Sequence, residues 1–275
     1  MAYAFPGAGA LDYAPCGYGA SRLLFRGPRC PVTVPYVSCL GGTETYGKFI
    51  PTPFPALLAE IMGMPVANLG CVNAGPDVFL HDRDVLAMAG QGRACIVQIL
   101  GAQNLSNRFY SVHPRRNDRF TGPTPLLRSL FRQIDFTEFS FTRHLVHVLQ
   151  GHSADRFEVV AEALRAAWIT RMQSLLQSLA CPTVLLWLSD RAPPPPGRRA
   201  DLALEPMLVD AEMVAAVRPY ASAYVEAVST DAARAKGAEG MAFGPMEAPA
   251  AACLPGPAVH YELATRLAPV LLSLL

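Results

Sequence analysis

The sequence predicts a three-layer α/β/α fold built on a mainly parallel sheet. Three observations predict it. Short apolar runs bounded by Gly, Pro or Asn recur along the chain, stretches of helical period lie between them, and the runs are almost unbroken in apolar residues. Unbroken runs mark strands covered on both faces, and strands alternating with helices mark parallel crossovers.

The strands are expected at 35–40, 65–69, 94–100 and 182–188. Between the first two, residues 53–62 carry Phe54, Leu57, Leu58 and Ile61 on one helical stripe with proline near the start. Residues 78–89 supply the next helix, and these lengths imply right-handed crossovers. The longest helix is expected over 155–179, where Phe157, Val160, Leu164, Trp168, Met172, Leu175 and Leu179 repeat at helical spacing and read as core. The prolines from Pro193 to Pro196, before Gly197, cannot join a sheet and make a stiff connection. Beyond them, 207–229 reads as a helix broken near Pro219, and 259–274 as a final amphipathic helix. Residues 103–150, rich in Arg, Phe, Asn and Pro, read as a long insertion beside the strand ends, where loops build sites.

With 275 residues, 51% of them hydrophobic, the chain is long enough to bury a large core as one domain spanning 1–275. Its 23 Lys and Arg offset 22 Asp and Glu, and this balance argues against a dedicated binder of nucleic acid or of anionic membranes. No apolar run approaches the roughly 20 residues that cross a bilayer. The first residues lack the basic start and long apolar core of a secretory signal, so a cytoplasmic location is expected. Seven dispersed cysteines without a Cys-x-x-Cys pair read as reduced core residues rather than metal ligands. His144 and His147, at three-residue spacing, read as a surface pair. Neither a Gly-x-Gly-x-x-Gly turn nor a Gly-x-x-x-x-Gly-Lys-Ser/Thr loop occurs, and no cofactor is expected.

Chemistry concentrates after the first strand, in Gly41-Gly42-Thr43-Glu44-Thr45-Tyr46-Gly47. Two glycines at a strand end permit a tight turn and let backbone N–H groups face a ligand, while Thr43 presents a hydroxyl. The plain alternative is a turn in which Thr43 or Thr45 caps the following helix. The next strands end in Gly70 and in Gly101-Ala102-Gln103-Asn104, and the final helix opens on Pro257-Ala258-Val259-His260.

These four segments, in this order, resemble the conserved blocks of the SGNH (GDSL-type) hydrolases, whose first block is Gly-Asp-Ser-x-Thr-x-Gly. Gly41, Thr45 and Gly47 stand in register, Thr43 takes the place of the nucleophilic serine, and Gly42 replaces the aspartate. The resemblance implies a flavodoxin-like sheet, Thr43 as nucleophile, His260 as general base, and an oxyanion site built from Gly70 with the side-chain amide of Gln103 or Asn104. The carboxylate expected three residues before His260 is replaced by Pro257, which leaves a dyad. The runs 41–48 and 104–110 also resemble those of an uncharacterised alphaproteobacterial family.

A second cluster, Arg108, His113, Arg115, Arg116 and Arg119 with interleaved aromatics, suggests a pocket for phosphate, sulfate or carboxylate. The alternative is a solvated loop paired with Asp118 and Asp135. The combined expectation is an SGNH-like ester hydrolase or acyl-transfer enzyme acting on a small or glycan substrate with an anionic group. Two other readings stay open: a non-catalytic module of the same fold that binds an anionic glycan or partner, and a transferase of sulfuryl-type groups.

Overall fold

The computed structural model describes residues 11–197 and 199–275. The N-terminal stretch 1–10, which bears on the question of a secretory signal, and Arg198, in the proline-rich connection, lie outside the described residues.

A five-stranded parallel sheet forms the middle layer. Its strands are β1 (Val37–Gly41), β2 (Val66–Gly70), β3 (Ala94–Gln98), β6 (Thr183–Ser189) and β7 (Ala223–Val228), in the order β2-β1-β3-β6-β7. Alternation along each strand assigns side chains to two cores. Val37, Cys39, Ala94, Ile96, Val184 and Leu186 face one of them. Leu40, Cys95, Val97, Leu185 and Trp187 face the other. The central strands β1, β3 and β6 therefore lose contact with water on both sides, as their unbroken apolar composition requires.

The first core is closed by α2 (Phe54–Met62), α9 (Asp231–Ala235) and α11 (Pro257–Leu272). The second is closed chiefly by α4 (Arg83–Gln91), α7 (Ala154–Ser178) and α8 (Ala211–Val217). Helix ends obey local chemistry. The Asp82 side chain accepts from Val85 N–H to start α4, Ser153 does the same from Arg156 N–H for α7, and Gly63 ends α2 at a φ of 61°. Shorter helices lie at the sheet's C-terminal edge and in the loops: α1 (Thr43–Tyr46), α3 (Asp77–Leu80), α5 (Pro125–Leu130) and α10 (Ala248–Ala251). Residues 103–150 hold an antiparallel hairpin, β4 (Tyr110–His113) with β5 (Arg116–Pro123), and then α5 and α6 (Thr142–His152).

Two expectations are corrected. The single helix over 78–89 is two, α3 and α4, because Asp82 caps a fresh start. The helix expected over 207–229 is only α8 and a 3-10 turn (Arg218–Tyr220), with β7 after them. The alanines of Ala223–Val228 read as helical, yet Val225 and Ala227 alternate inward while Glu226 is exposed. Pairing with β6 overrides local propensity there. Among the described residues no helix is long and apolar enough to cross a membrane.

The ends of β1 and β2 lie so close to α1 that Gly70 has no room for a side chain. A Cβ on Gly70 would sit 2.2 Å from the Tyr46 backbone nitrogen and 2.7 Å from the Thr45 carbonyl carbon. Backbone cannot yield as a side chain does, so Gly70→Ala is expected to lower stability by about 2–3 kcal/mol. Gly122→Ala, in open space on the hairpin, is expected to stay within about 0.5 kcal/mol. Urea denaturation of the two variants checks the contrast.

Candidate active site

In the order β2-β1-β3-β6-β7 the chain leaves β1 toward one sheet edge and returns to β3 on its other side. Connections diverge at such a point and leave a crevice beyond the C-terminal strand ends, where ligands of open α/β sheets bind. A cleft of about 660 Å³ lies there, lined by Gly42, Thr43 and Glu44 after β1, Asn73 after β2, Gln98 to Gly101 and Gln103 after β3, and Arg143 and Glu205 from flanking segments.

The turn after β1 is tied down by Gln98. The Gly42 N–H donates to Gln98 Oε1 at 2.9 Å, and the Thr45 hydroxyl donates to the same oxygen at 2.6 Å. The Gln98 Nε2 group donates to Glu44 Oε2 at 2.8 Å. Gly41 is required for this approach, since a Cβ there would lie 2.0 Å from Thr45 Oγ1. Gly47 closes α1 at a φ of 72°, with its N–H on the Thr43 and Glu44 carbonyls.

Thr43 lines the cleft, where its hydroxyl is paired with Asn73. The Asn73 N–H donates to Thr43 Oγ1 at 3.0 Å, and the hydroxyl donates to Asn73 Oδ1 at 3.3 Å. Asn73 takes a φ of 55°, a conformation that asparagine tolerates. Its carbonyl accepts from Asn104 Nδ2 at 3.0 Å, and Asn104 Oδ1 accepts from the Thr142 hydroxyl at 2.5 Å. Asn104 thus fastens the 71–75 loop to the start of α6. Gln103 also lines the cleft, and its Oε1 is buried without a hydrogen-bond partner. Of the two amides expected at the oxyanion site, Asn104 is committed at both ends, whereas the Gln103 oxygen has no partner.

Gly70 is placed differently from the expectation. It ends β2 beneath α1, its N–H donates to Asn68 Oδ1 at 2.9 Å, and it is not among the cleft residues. The N–H that reaches Thr43 belongs to Asn73.

The structure does not bring His260 to Thr43. His260 is 1% exposed on the buried face of α11. Its Nδ1 accepts the Phe54 N–H at 3.1 Å, and its ring stacks on Phe54 with centroids 6.0 Å apart. This bond satisfies a donor at the start of α2 that the helix leaves open. Burial, and then the nearby Arg26 guanidinium, push His260 down to about 3, so it stays neutral. Arg26 is itself buried and donates to the Gly47 carbonyl at 2.5 Å and the Pro51 carbonyl at 2.8 Å, bracing the turn from below.

The arginine cluster is dispersed as well. Arg108 lies over Phe109 at 5.0 Å and Arg119 over Phe141 at 4.1 Å. Arg115, at the hairpin tip, joins Arg22 and Arg83 around a separate surface hollow, and its N–H donates to His113 Nδ1 at 3.2 Å. Arg116 begins β5 and is exposed. None of the five residues lines the cleft. The cleft's cations are Lys48 and Arg143, the latter ion-paired with Glu205.

Sequence reasoning missed Glu44 and Gln98. The walls of the cleft desolvate the Glu44 carboxyl and raise it above the ordinary carboxylate range, against the bond from Gln98. The signals were a carboxylate beside Thr43 in the glycine turn and a glutamine closing an otherwise apolar strand. Cys253 also departs from expectation, being exposed on the cleft wall rather than in the core. Burial pushes Cys71 and Cys95 up to about 12, which leaves both thiols protonated near neutrality.

The placement of His260 has a pH signature. Folded, it stays neutral down to about pH 3, whereas in the unfolded chain it takes a proton below about 6.5. The unfolded state therefore binds more protons, and stability is lost as the pH falls through that window. Between pH 7 and 5.5 the loss from this group is about 1 kcal/mol. His260→Leu should lack that slope while losing about 1–3 kcal/mol at pH 7, because Phe54 N–H is left unpaired. Urea denaturation at both pH values decides, and equal slopes in the two proteins would refute the assignment.

No curated protein matches the chain. Among solved structures, it is similar to a carbohydrate esterase family 2 enzyme with a carbohydrate-binding domain from Corynascus thermopiles (Myceliophthora fergusii). That pair shows 11% identity over 91% of this chain and 69% of the other, with a TM-score of 0.44. It is similar also to an extracellular lipase from Streptomyces rimosus, at 12% identity over 88% and 100% with a TM-score of 0.40. A third similar structure is a protein of the G-D-S-L family from Desulfitobacterium hafniense DCB-2, at 14% identity over 86% and 99% with a TM-score of 0.36. The family model described as Domain of unknown function (DUF6473) matches residues 1–275, and the chain belongs to that family.

Proposed function

We propose that the chain cleaves or transfers acyl esters in the switch-point cleft, with Glu44 as the general base. The observation that carries this reading is a carboxyl raised by desolvation, held by Gln98 in the same cleft as the Thr43 hydroxyl and the Gln103 amide. A base gains strength as its pKa rises toward the working pH, and Glu44 is shifted that way.

In this mechanism Glu44 takes a proton from a water molecule as the water oxygen attacks the acyl carbon. The tetrahedral oxyanion forms among polar groups of the cleft, where Gln103 would serve through its Nε2 donor. On collapse, the leaving alcohol recovers the proton from Glu44. Thr43 orients the acyl group through its hydroxyl rather than attacking, because Asn73, an amide, cannot accept the proton a nucleophile must shed. An anionic group on the substrate would be met by Lys48, which has no ion pair among the described residues. A binding module without turnover is the second reading, favoured by the closed pair between Thr43 and Asn73.

Assays on p-nitrophenyl esters and acetylated sugars test the proposal. Glu44→Gln is expected to lower kcat by about 100-fold or more with KM little changed, the contribution typical of a general base. The acid limb of the kcat/KM profile should lie above the ordinary carboxylate range, with activity lost as pH falls through it. Thr43→Ala should lose about 10-fold or less. A loss at Thr43 as deep as that at Glu44 would return the attack to the threonine. Full activity in Glu44→Gln would sink the base assignment, and a wild type that binds these esters without turning them over would establish the binding module.

A further inference from the structure

A second hollow, of about 370 Å³, adjoins the first. The two share one wall, made of Glu44, Leu188, Ala203, Glu205, Cys253 and Leu254. Each volume falls within the range that encloses a separate small molecule, roughly 300–1,000 Å³. Glu44 therefore stands between two compartments rather than at the end of one.

The second compartment lies beyond the C-terminal ends of β6 and β7. Its polar lining includes Ser189, Asp190, Arg191, Ser229 and Arg234. The charges there are already answered within the chain. Arg191 pairs with Asp190 at 2.7 Å, Arg234 pairs with Asp231 and with the Ser229 carbonyl, and the Ser189 hydroxyl donates to the Glu205 carbonyl at 2.7 Å. A lining of satisfied charges and hydroxyls favours a neutral, hydrogen-bonding occupant over an ion.

We infer that the second hollow seats an alcohol acceptor, a neutral polyol or sugar hydroxyl, so that the chain passes an acyl group from a donor ester in the first hollow across Glu44 to that acceptor. The inference rests on the acyl-ester reading. The acceptor hydroxyl gives its proton to the Glu44 carboxylate while its oxygen bonds to the acyl carbon. The tetrahedral intermediate then breaks its bond to the donor oxygen, and the departing alkoxide takes the proton back. No oxidant, metal or further reactant enters the balance. Water competes for the same step and yields hydrolysis.

The test uses the whole chain with p-nitrophenyl acetate as donor, and glycerol or a methyl glycoside as acceptor. Released nitrophenol and acylated acceptor are counted together. Ala252 is exposed and lines only the second hollow, while Ala250 is exposed and lines only the first. Ala252→Trp is expected to lower the ratio of acyl transfer to hydrolysis by about 10-fold. Ala250→Trp should lower both reactions and leave their ratio unchanged. Ala252→Met gives the same direction with a smaller side chain if tryptophan unfolds the protein. Turnover with water as the sole acceptor, or an unchanged ratio in both Ala252 variants, overturns the inference while leaving the acyl-ester reading intact. No ester turnover by the wild type overturns both.

Discussion

The side chain of Gln98 fixes the turn on which the site is built. From the end of β3 it receives the Gly42 N–H and the Thr45 hydroxyl on one oxygen and gives a hydrogen to Glu44. Three groups of the β1–α1 turn are thereby held across the switch point by one amide that is 4% exposed. A buried amide with both ends satisfied has one stable orientation, and losing it would leave several polar groups unpaired at about 1–3 kcal/mol each. Gly41 allows this contact and Gly70 allows α1 to descend onto β2. The glycines are thus conditions of the polar bridge rather than sources of flexibility.

The opposite side of the turn is held by groups that do no chemistry. Arg26 commits its buried guanidinium to the carbonyls of Gly47 and Pro51, and Asn68 gives its amide to the Thr45 carbonyl at 2.8 Å. His260 belongs to this support through its bond to Phe54, where α11 meets α2. Burial, reinforced by the neighbouring Arg26 cation, keeps the imidazole neutral, which suits a permanent acceptor better than a base that must gain and return protons.

Four parallel strands were legible because burial on both faces writes itself as unbroken apolar runs. The edge strand β7 was not, since one face remains wet and its alanines carry a helical preference. The turn of residues 41–47 was legible as a tight turn because its opening glycines and its closing one fulfil separate steric demands. Position along the chain placed His260 at the start of the last helix, but the phase of that helix, which turns the ring toward Phe54, depends on packing against α2. The arginines cluster in sequence and separate in space because Arg108 precedes the hairpin, Arg115 sits at its tip, and Arg116 and Arg119 lie along β5, where side chains alternate between faces. Glu44 was overlooked because what sets its carboxyl apart is desolvation, which spacing does not encode.

Commitment of His260 to the core removes that imidazole from proton handling, and the proposed mechanism assigns the task to Glu44 in the first turn. The triad implied by the resemblance would take its nucleophile from the first turn and its base from the last helix, but here the His260 ring is buried. The first turn still supplies a hydroxyl, and next to it a carboxyl that the cleft desolvates and Gln98 orients. Adjacent residues on a helical turn diverge by about 100°, so Thr43 and Glu44 face different neighbours, Asn73 and Gln98. That divergence argues against direct proton transfer between them. In the proposed mechanism Glu44, which lines both hollows, meets the water or alcohol, and Thr43, which lines only the first, holds the acyl group.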